Sequence, residues 1–300
     1  MDVLRIGSFT RSVLLEVART TGGLTQANLE VREVAVESSP AQFASLRDGE
    51  FDAIFTSPDN VLAYRFLPAN PLGEVLDVEI VAGLDRGLGL CLGARPEVTA
   101  PADLRGGRLG VDVPNSGFAF VAYALLEELG FTRDDYQILT LGSTPKRAIA
   151  LRAGECDMTV LNAGNELTAR THGCALLGEV TRLGPYIGTV VARMRAAPGT
   201  GVVDRLVATL LDTARRIRAG ELGGESVAAA TRVLGLDATT AAEHVAVLRD
   251  PARGLIPDGT VDTASLATLV DLRRRFLPAP GLDDIAGRLD DIVRAGALLG

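Results

Sequence analysis

The 300-residue sequence has no tryptophan, two histidines (His172 and His244) and a single lysine, Lys146. Each scarcity removes a class of chemistry. Lys146 falls on an outer helix of the expected fold, which argues against a Schiff-base mechanism. Neither histidine has a partner at metal-ligand spacing, so both are read as surface or structural residues and no metal is expected. The three cysteines, Cys91, Cys156 and Cys174, form no CxxC motif; Cys156 sits in an apolar stretch, where a free thiol acts as a small hydrophobe. Whether Cys91 and Cys174 pair is open at this stage. Also missing are a GxSxG elbow, an HExxH pair, a Walker loop and a dinucleotide fingerprint. The glycine-rich run at 87–93 (GLGLCLG) alternates like a strand instead of cradling a phosphate. No cofactor is expected.

Apolar runs fall well short of the roughly 20 residues a membrane-crossing helix needs. Basic character is also low: 30 Lys and Arg against 38 Asp and Glu give a net charge of −8. Clustered cations are what a phosphate backbone demands, so nucleic acid is not expected as a partner. Arg273, Arg274 and Arg275 form the main basic run, offset by Asp271, and read as a solvated helix face. Met1 runs almost directly into the first expected strand at residues 4–8, with no basic segment, apolar core or lipidation cysteine ahead of it. As written, the sequence points to the cytoplasm; a start codon assigned too far downstream would make the protein periplasmic or extracellular.

What the chain does contain is an internal echo. Residues 38–60 (SSPAQFASLRDGEFDAIFTSPDN) return 105 positions later as residues 143–165 (STPKRAIALRAGECDMTVLNAGN). Pro40 meets Pro145, Gly49-Glu50 meets Gly154-Glu155, Asp52 meets Asp157 and Asn60 meets Asn165. A repeat at this spacing implies one supersecondary unit used in each of two lobes, with a ligand-sized cleft between them. The length and the 47% hydrophobic, 23% charged composition agree with two globular domains.

Strand and helix patterns alternate through the first part. Strands are expected at 4–8, 29–36, 51–55 and 79–83, with helices at 11–21 and from Ser39 to Gly49, Ser39 being the N-cap and Pro40 the first helical residue. A crossing strand at 88–94 leads to a second set: strand 108–113, helix 118–129, strand 136–140, helix 144–153, strand 156–161. Residues 186–194 are the expected return crossing. Beyond Pro198 the pattern is helical, at 204–219, 225–234, 239–247, 263–276 and 283–295, a tail expected to cover lobe one. The fold class is therefore α/β, two similar Rossmann-like lobes joined by two hinge strands, with a helical C-terminal extension on lobe one. Lobe one takes 1–90 and 190–300, lobe two 91–189.

The segments ADLRGGRLGV (102–111), PNSGF (114–118) and ALRAGECDMTVL (150–161), with SLRDGEFDAIFTSPDN (45–60), resemble the type II periplasmic solute-binding proteins. The group containing sulfonate, nitrate and thiamine-pyrimidine binders is most similar. The resemblance covers nearly the whole chain and implies closure of two lobes around a small molecule, with an ABC permease as partner. Relatives of the fold also include thiamine-pyrimidine synthases, menaquinone-pathway dehydratases and aromatic-acid decarboxylases.

In such sheets ligands bind beyond the carboxyl ends of strands, where helix N-termini converge. Five segments should meet there: Ser8, Phe9, Thr10 and Arg11; Glu37, Ser38 and Ser39; Thr56, Ser57, Asp59 and Asn60; Asn115, Ser116, Gly117 and Phe118; Asn162 and Asn165. Free N–H groups and hydroxyls suit a carboxylate, sulfonate or phosphate, with Arg11 positioned to pair bidentately. The same serines and threonines also serve as helix caps. Phe9 and Phe118 fit either a sandwich around a flat ligand or inter-lobe packing. Asp59 and Glu37 are the carboxylates placed to accept from an amine or pyrimidine. Asp52 and Asp157 read as structural. Two functions stay open: a solute-binding protein taking an anionic or heterocyclic organic molecule, and a cytoplasmic enzyme on the same scaffold using Asp59, Glu37 or Ser116.

Overall fold

A computed structural model describes residues 1–197, 199–294 and 297–299. In chain order it contains β1 (Asp2–Ser8), α1 (Val13–Thr20), α2 (Gly23–Gln26), β2 (Leu29–Ala35), α3 (Ser39–Arg47), β3 (Ala53–Thr56), α4 (Pro58–Phe66) and β4 (Val78–Asp85). The second set is β5 (Cys91–Ala94), β6 (Gly107–Val111), α5 (Gly117–Glu128), β7 (Tyr136–Thr140), α6 (Thr144–Arg152), β8 (Met158–Leu161), α7 (Asn165–Thr171) and β9 (Ala175–Glu179). The chain then returns through β10 (Thr189–Met194) to α8 (Thr200–Ala219), α9 (Gly223–Leu234), α10 (Ala238–Arg249), β11 (Val261–Asp262), α11 (Thr263–Phe276), α12 (Leu282–Ala286) and β12 (Leu298–Leu299).

Two five-stranded sheets carry the doubled plan, ordered β2-β1-β3-β10-β4 and β7-β6-β8-β5-β9. The fourth strand of each arrives from the other sheet and runs antiparallel to its neighbours. The repeat is preserved in its bonds. Asp52 accepts the Arg5 N–H at 2.7 Å, and Asp157 accepts the Arg108 N–H at the same distance. Both aspartates therefore fasten a strand start, the structural role the repeat suggests.

Ser-Pro starts set the helices. Ser38, Ser57 and Ser143 occupy the N-cap positions of α3, α4 and α6, with proline in the first two helical positions. Ser38, not Ser39, is thus the α3 cap. Ser12 caps α1, so that helix begins at Val13 and Arg11 stays in the preceding loop. Helix α4 lacks a sequence signature because residues 58–64 are all buried, leaving no polar face to generate a stripe. Helix α7 and strand β9 also escape the sequence reading, and the last expected helix is short, ending at Ala286; its far end, Ala295, lies outside the described residues.

The first crossing differs from the expected strand 88–94. Gly87, Leu88 and Gly89 take φ of 99°, 49° and 76°, so extended pairing begins only at Cys91. The second crossing touches it: a Cβ on Gly188 would lie 2.4 Å from the Gly87 Cα, closer than any side chain permits. Two glycines thus let the chain's two passages between lobes lie in contact. All three cysteines are free and buried.

The helical tail reaches beyond lobe one. Helices α8 and α9 pack against α1, but α11 packs on both α4 and α5, and α10 touches α7. One apolar core consequently runs from the first sheet through α11 into the second. Among the described residues no helix is long and apolar enough to cross a membrane.

Candidate functional site

Between the sheets lies a chamber of about 120 Å³, beside an outer vestibule of about 470 Å³ that shares part of its wall. Four helices begin at the chamber, α1, α4, α5 and α6, with N-caps Ser12, Ser57, Ser116 and Ser143. Ser12, Ser57 and Ser116 each accept an N–H from their own helix, whereas Ser143 makes no such bond. Serving as a cap and lining the chamber are thus compatible.

Of the residues singled out from sequence, Ser8, Phe9, Thr10, Arg11, Thr56, Ser57, Asn60, Ser116, Gly117, Phe118 and Asn162 line the chamber. Glu37 and Asn165 line the vestibule. Ser38, Ser39, Asp59 and Asn115 line neither. Asn115 is exposed, and Ser39 is buried in the first turn of α3.

Several of these polar groups are already engaged. Asn60 Nδ2 donates to Thr56 Oγ1 at 3.1 Å, Asn162 Nδ2 to the Gly87 carbonyl at 3.2 Å, and Ser8 Oγ to Glu33 Oε1 at 2.8 Å. Ser116 Oγ donates to Asp112. Arg11 is largely exposed and lies 3.8 Å from Glu33. Glu37 pairs with Lys146 at 3.2 Å across the vestibule mouth, a solvated contact worth little by itself.

Asp59 is no ligand acceptor. Its carboxylate is fully buried and takes two parallel bonds from Arg273, at 2.8 Å from Nε and 2.6 Å from Nη2. It also presses on α5, since a Cβ on Gly117 would come within 2.7 Å of the Asp59 Cβ. Arg273 accordingly belongs to the core and not to a solvated face, and its guanidinium stacks 5.1 Å from the Phe120 ring.

The residues missed from sequence are the more informative ones. Arg147 on α6 lines the chamber with 1% of its surface exposed. Among the described residues it has no carboxylate within ion-pair distance; its partners are Thr159 Oγ1 at 3.1 Å, the Gly142 carbonyl at 2.6 Å, Thr144 Oγ1 at 3.0 Å and the Val160 carbonyl at 3.2 Å. Four neutral acceptors fix the group with no carboxylate in direct contact, and one of five N–H groups is spare. Burial lowers its pKa, with Asp112 opposing that from a distance.

Asp85 and His244 also line the chamber. Burial pushes Asp85 up to about 6, against bonds from Thr189 and the Gly87 N–H. Burial holds His244 down to about 4, so it is neutral at pH 7, and its Nδ1 has no protein partner. No cluster of three or more His, Cys, Asp or Glu side chains capable of holding a metal occurs among the described residues.

Glu166, beside the first crossing, gives a pH prediction. Burial raises it to about 8; Oε2 accepts the Gly164 N–H at 2.9 Å while Oε1 is unpartnered. The unfolded chain releases this proton first, so stability is full below about 4.5 and falls as pH rises through about 8. Asp85 has finished titrating by then, and His244 acts in the opposite sense at lower pH. Glu166→Gln puts an amide where the protonated acid has its O–H. Between pH 6.5 and 8.5 wild type should lose about 2 kcal/mol in urea titrations relative to this variant. Parallel curves would return Glu166 to ordinary titration.

No family model and no curated protein sequence matches the chain. Solved structures do. The alkanesulfonate-binding protein SsuA from Xanthomonas axonopodis pv. citri, bound to MOPS, superposes with a TM-score of 0.71 at 18% identity, over 99% of this chain and 98% of that one. The periplasmic nitrate-binding protein NrtA from Synechocystis PCC 6803 gives 0.77 at 11% identity, over 97% and 86%. The desulfurization enzyme DSZB gives 0.62 at 16% identity, over 94% and 93%. The fold is that of the type II periplasmic binding proteins, two α/β lobes with a helical tail.

Proposed function

We propose that the protein binds a small organic anion in the chamber between its lobes and closes on it, as the ligand-binding component of an uptake system or an intracellular counterpart. The observation that carries this reading is Arg147. A guanidinium buried with no carboxylate in contact is costly, and a bound anion supplies a nearer counter-charge than Asp112, which shares the chamber wall. The N-termini of α1, α4, α5 and α6 add partial positive charge at the same wall. They come from both lobes, so an anion touching them favours the closed arrangement over the open one. The names of the sulfonate- and nitrate-binding neighbours support the anionic class without fixing its member. In this reading the macromolecular partner is an ABC permease.

Thermal-shift titration with matched pairs tests it: carboxylates and sulfonates against the corresponding primary amides and sulfonamides. Saturable rises in melting temperature are expected for the charged members only, growing with ligand concentration by mass action. Equal stabilisation by neutral and charged members would remove the anion from the proposal.

A second reading, catalysis in the same chamber, has Asp85 in its favour, a buried carboxyl raised to about 6 and able to carry a proton near neutrality. Asp59, held by Arg273, is not available for that role. Mass-spectrometric detection of a product from any stabilising compound would select this reading.

A further inference from the structure

Resting on the anion-binding reading, we infer that the ligand is a single-ring organic acid bearing a hydrogen-bond donor, and that His244 of the tail reads that donor. Size is the first ground. The chamber, about 120 Å³, is slightly smaller than the apolar cavity of about 150 Å³ that holds one benzene, so it takes no more than one ring, and the ring's substituents extend toward the adjoining vestibule of about 470 Å³. The second is its lining. Phe9, Phe55, Phe118, Leu84, Leu248 and Leu255 all face it. Nitrate or sulfate would leave that apolar wall without a partner, whereas a ring fills it.

The polar groups then sort by origin. Arg147 enters from the layer of the second sheet. Asp85 stands at the end of β4, bridged to Leu255 of the tail, and His244 stands on α10. His244 has 1% of its surface exposed and an orphaned Nδ1, an expensive arrangement unless a ligand completes it. A phenolic hydroxyl both donates and accepts, so it satisfies Nδ1 in either tautomer. Buried groups left unpaired are what make a site reject a ligand lacking the matching hydroxyl.

The test is calorimetric titration with benzoate, 4-hydroxybenzoate, 4-aminobenzoate, nitrate and sulfate against wild type, His244→Leu and Arg147→Gln. Wild type should bind 4-hydroxybenzoate or 4-aminobenzoate at least about tenfold more tightly than benzoate, and the inorganic ions more than about a hundredfold less tightly. His244→Leu should erase the preference, bringing 4-hydroxybenzoate to the affinity of benzoate, and a cooperative urea melt of the variant serves as the proof of folding. Three results would overturn the inference and leave the anion-binding reading standing: nitrate or sulfate binding as well as the ring acids, no ring acid binding while other organic anions do, or an unchanged preference in His244→Leu. Benzoate binding indifferent to Arg147→Gln would instead bring down the anion-binding reading itself.

Discussion

Arg147→Gln is expected to weaken organic-anion binding by about 30- to 4,000-fold, the equivalent of about 2–5 kcal/mol, while changing the stability of the ligand-free protein by no more than about 1 kcal/mol. The repeat supplies the reason for the second half. Residue 147 lies 105 positions after Gln42, and the two occupy the same place. Gln42 Nε2 donates to the Phe55 carbonyl at 3.0 Å, as Arg147 Nη2 donates to the Val160 carbonyl at 3.2 Å. Gln42 also reaches the Gly7 carbonyl at 3.1 Å; in the second lobe Thr159 Oγ1 bonds the Gly110 carbonyl at 2.7 Å and accepts from Arg147. The scaffold therefore already holds glutamine at this station, in lobe one. Removing the guanidinium also removes the desolvation cost of a buried charge, which offsets the bonds lost to Gly142 and Thr144. Calorimetric titration and urea melts of both forms read the two halves separately. Wild-type affinity in the variant would assign Arg147 to scaffolding alone.

That substitution also shows which parts of the site are legible in the sequence. The repeat exposes itself through Gly49, Gly154, Asp52 and Asp157, which mark backbone turns and strand starts that both lobes need, so they stay alike. Arg147 is written in the same alignment as a departure, a charge opposite a neutral amide, and comparison of the halves for differences could have found it. His244 leaves no such trace, because its meeting with the chamber depends on how α10 folds back toward α7. Asp59 and Arg273 are separated by 214 positions, and no local pattern ties an acid after one strand to a base in a distant helix. The run at residues 87–93 reads as a strand because leucines alternate with glycines there; positive φ at Gly87, Leu88 and Gly89 breaks it. Local periodicity carries the sheets, and long-range contacts made by the tail carry the remainder.

The tail's hold on both lobes predicts the largest loss of stability. Arg273→Leu is expected to cost about 3–5 kcal/mol, because it leaves the Asp59 carboxylate buried and unpaired. Both partners are nearly inaccessible, at 4% and 0% side-chain exposure, so water cannot replace the lost donors. Arg273 sits on α11, Asp59 on α4 and Phe120 on α5, so one guanidinium joins the tail to a helix of each lobe. The opposite substitution, Asp59→Leu, should also destabilise, by stranding the cation. The double variant should recover most of the loss, since an apolar pair of similar volume avoids both desolvation costs. Urea unfolding of the two single variants and the double variant gives the coupling directly. Losses that simply add would mean the residues act through packing alone. Coupling of several kcal/mol would identify this bidentate contact as what fastens α11 of the tail to α4.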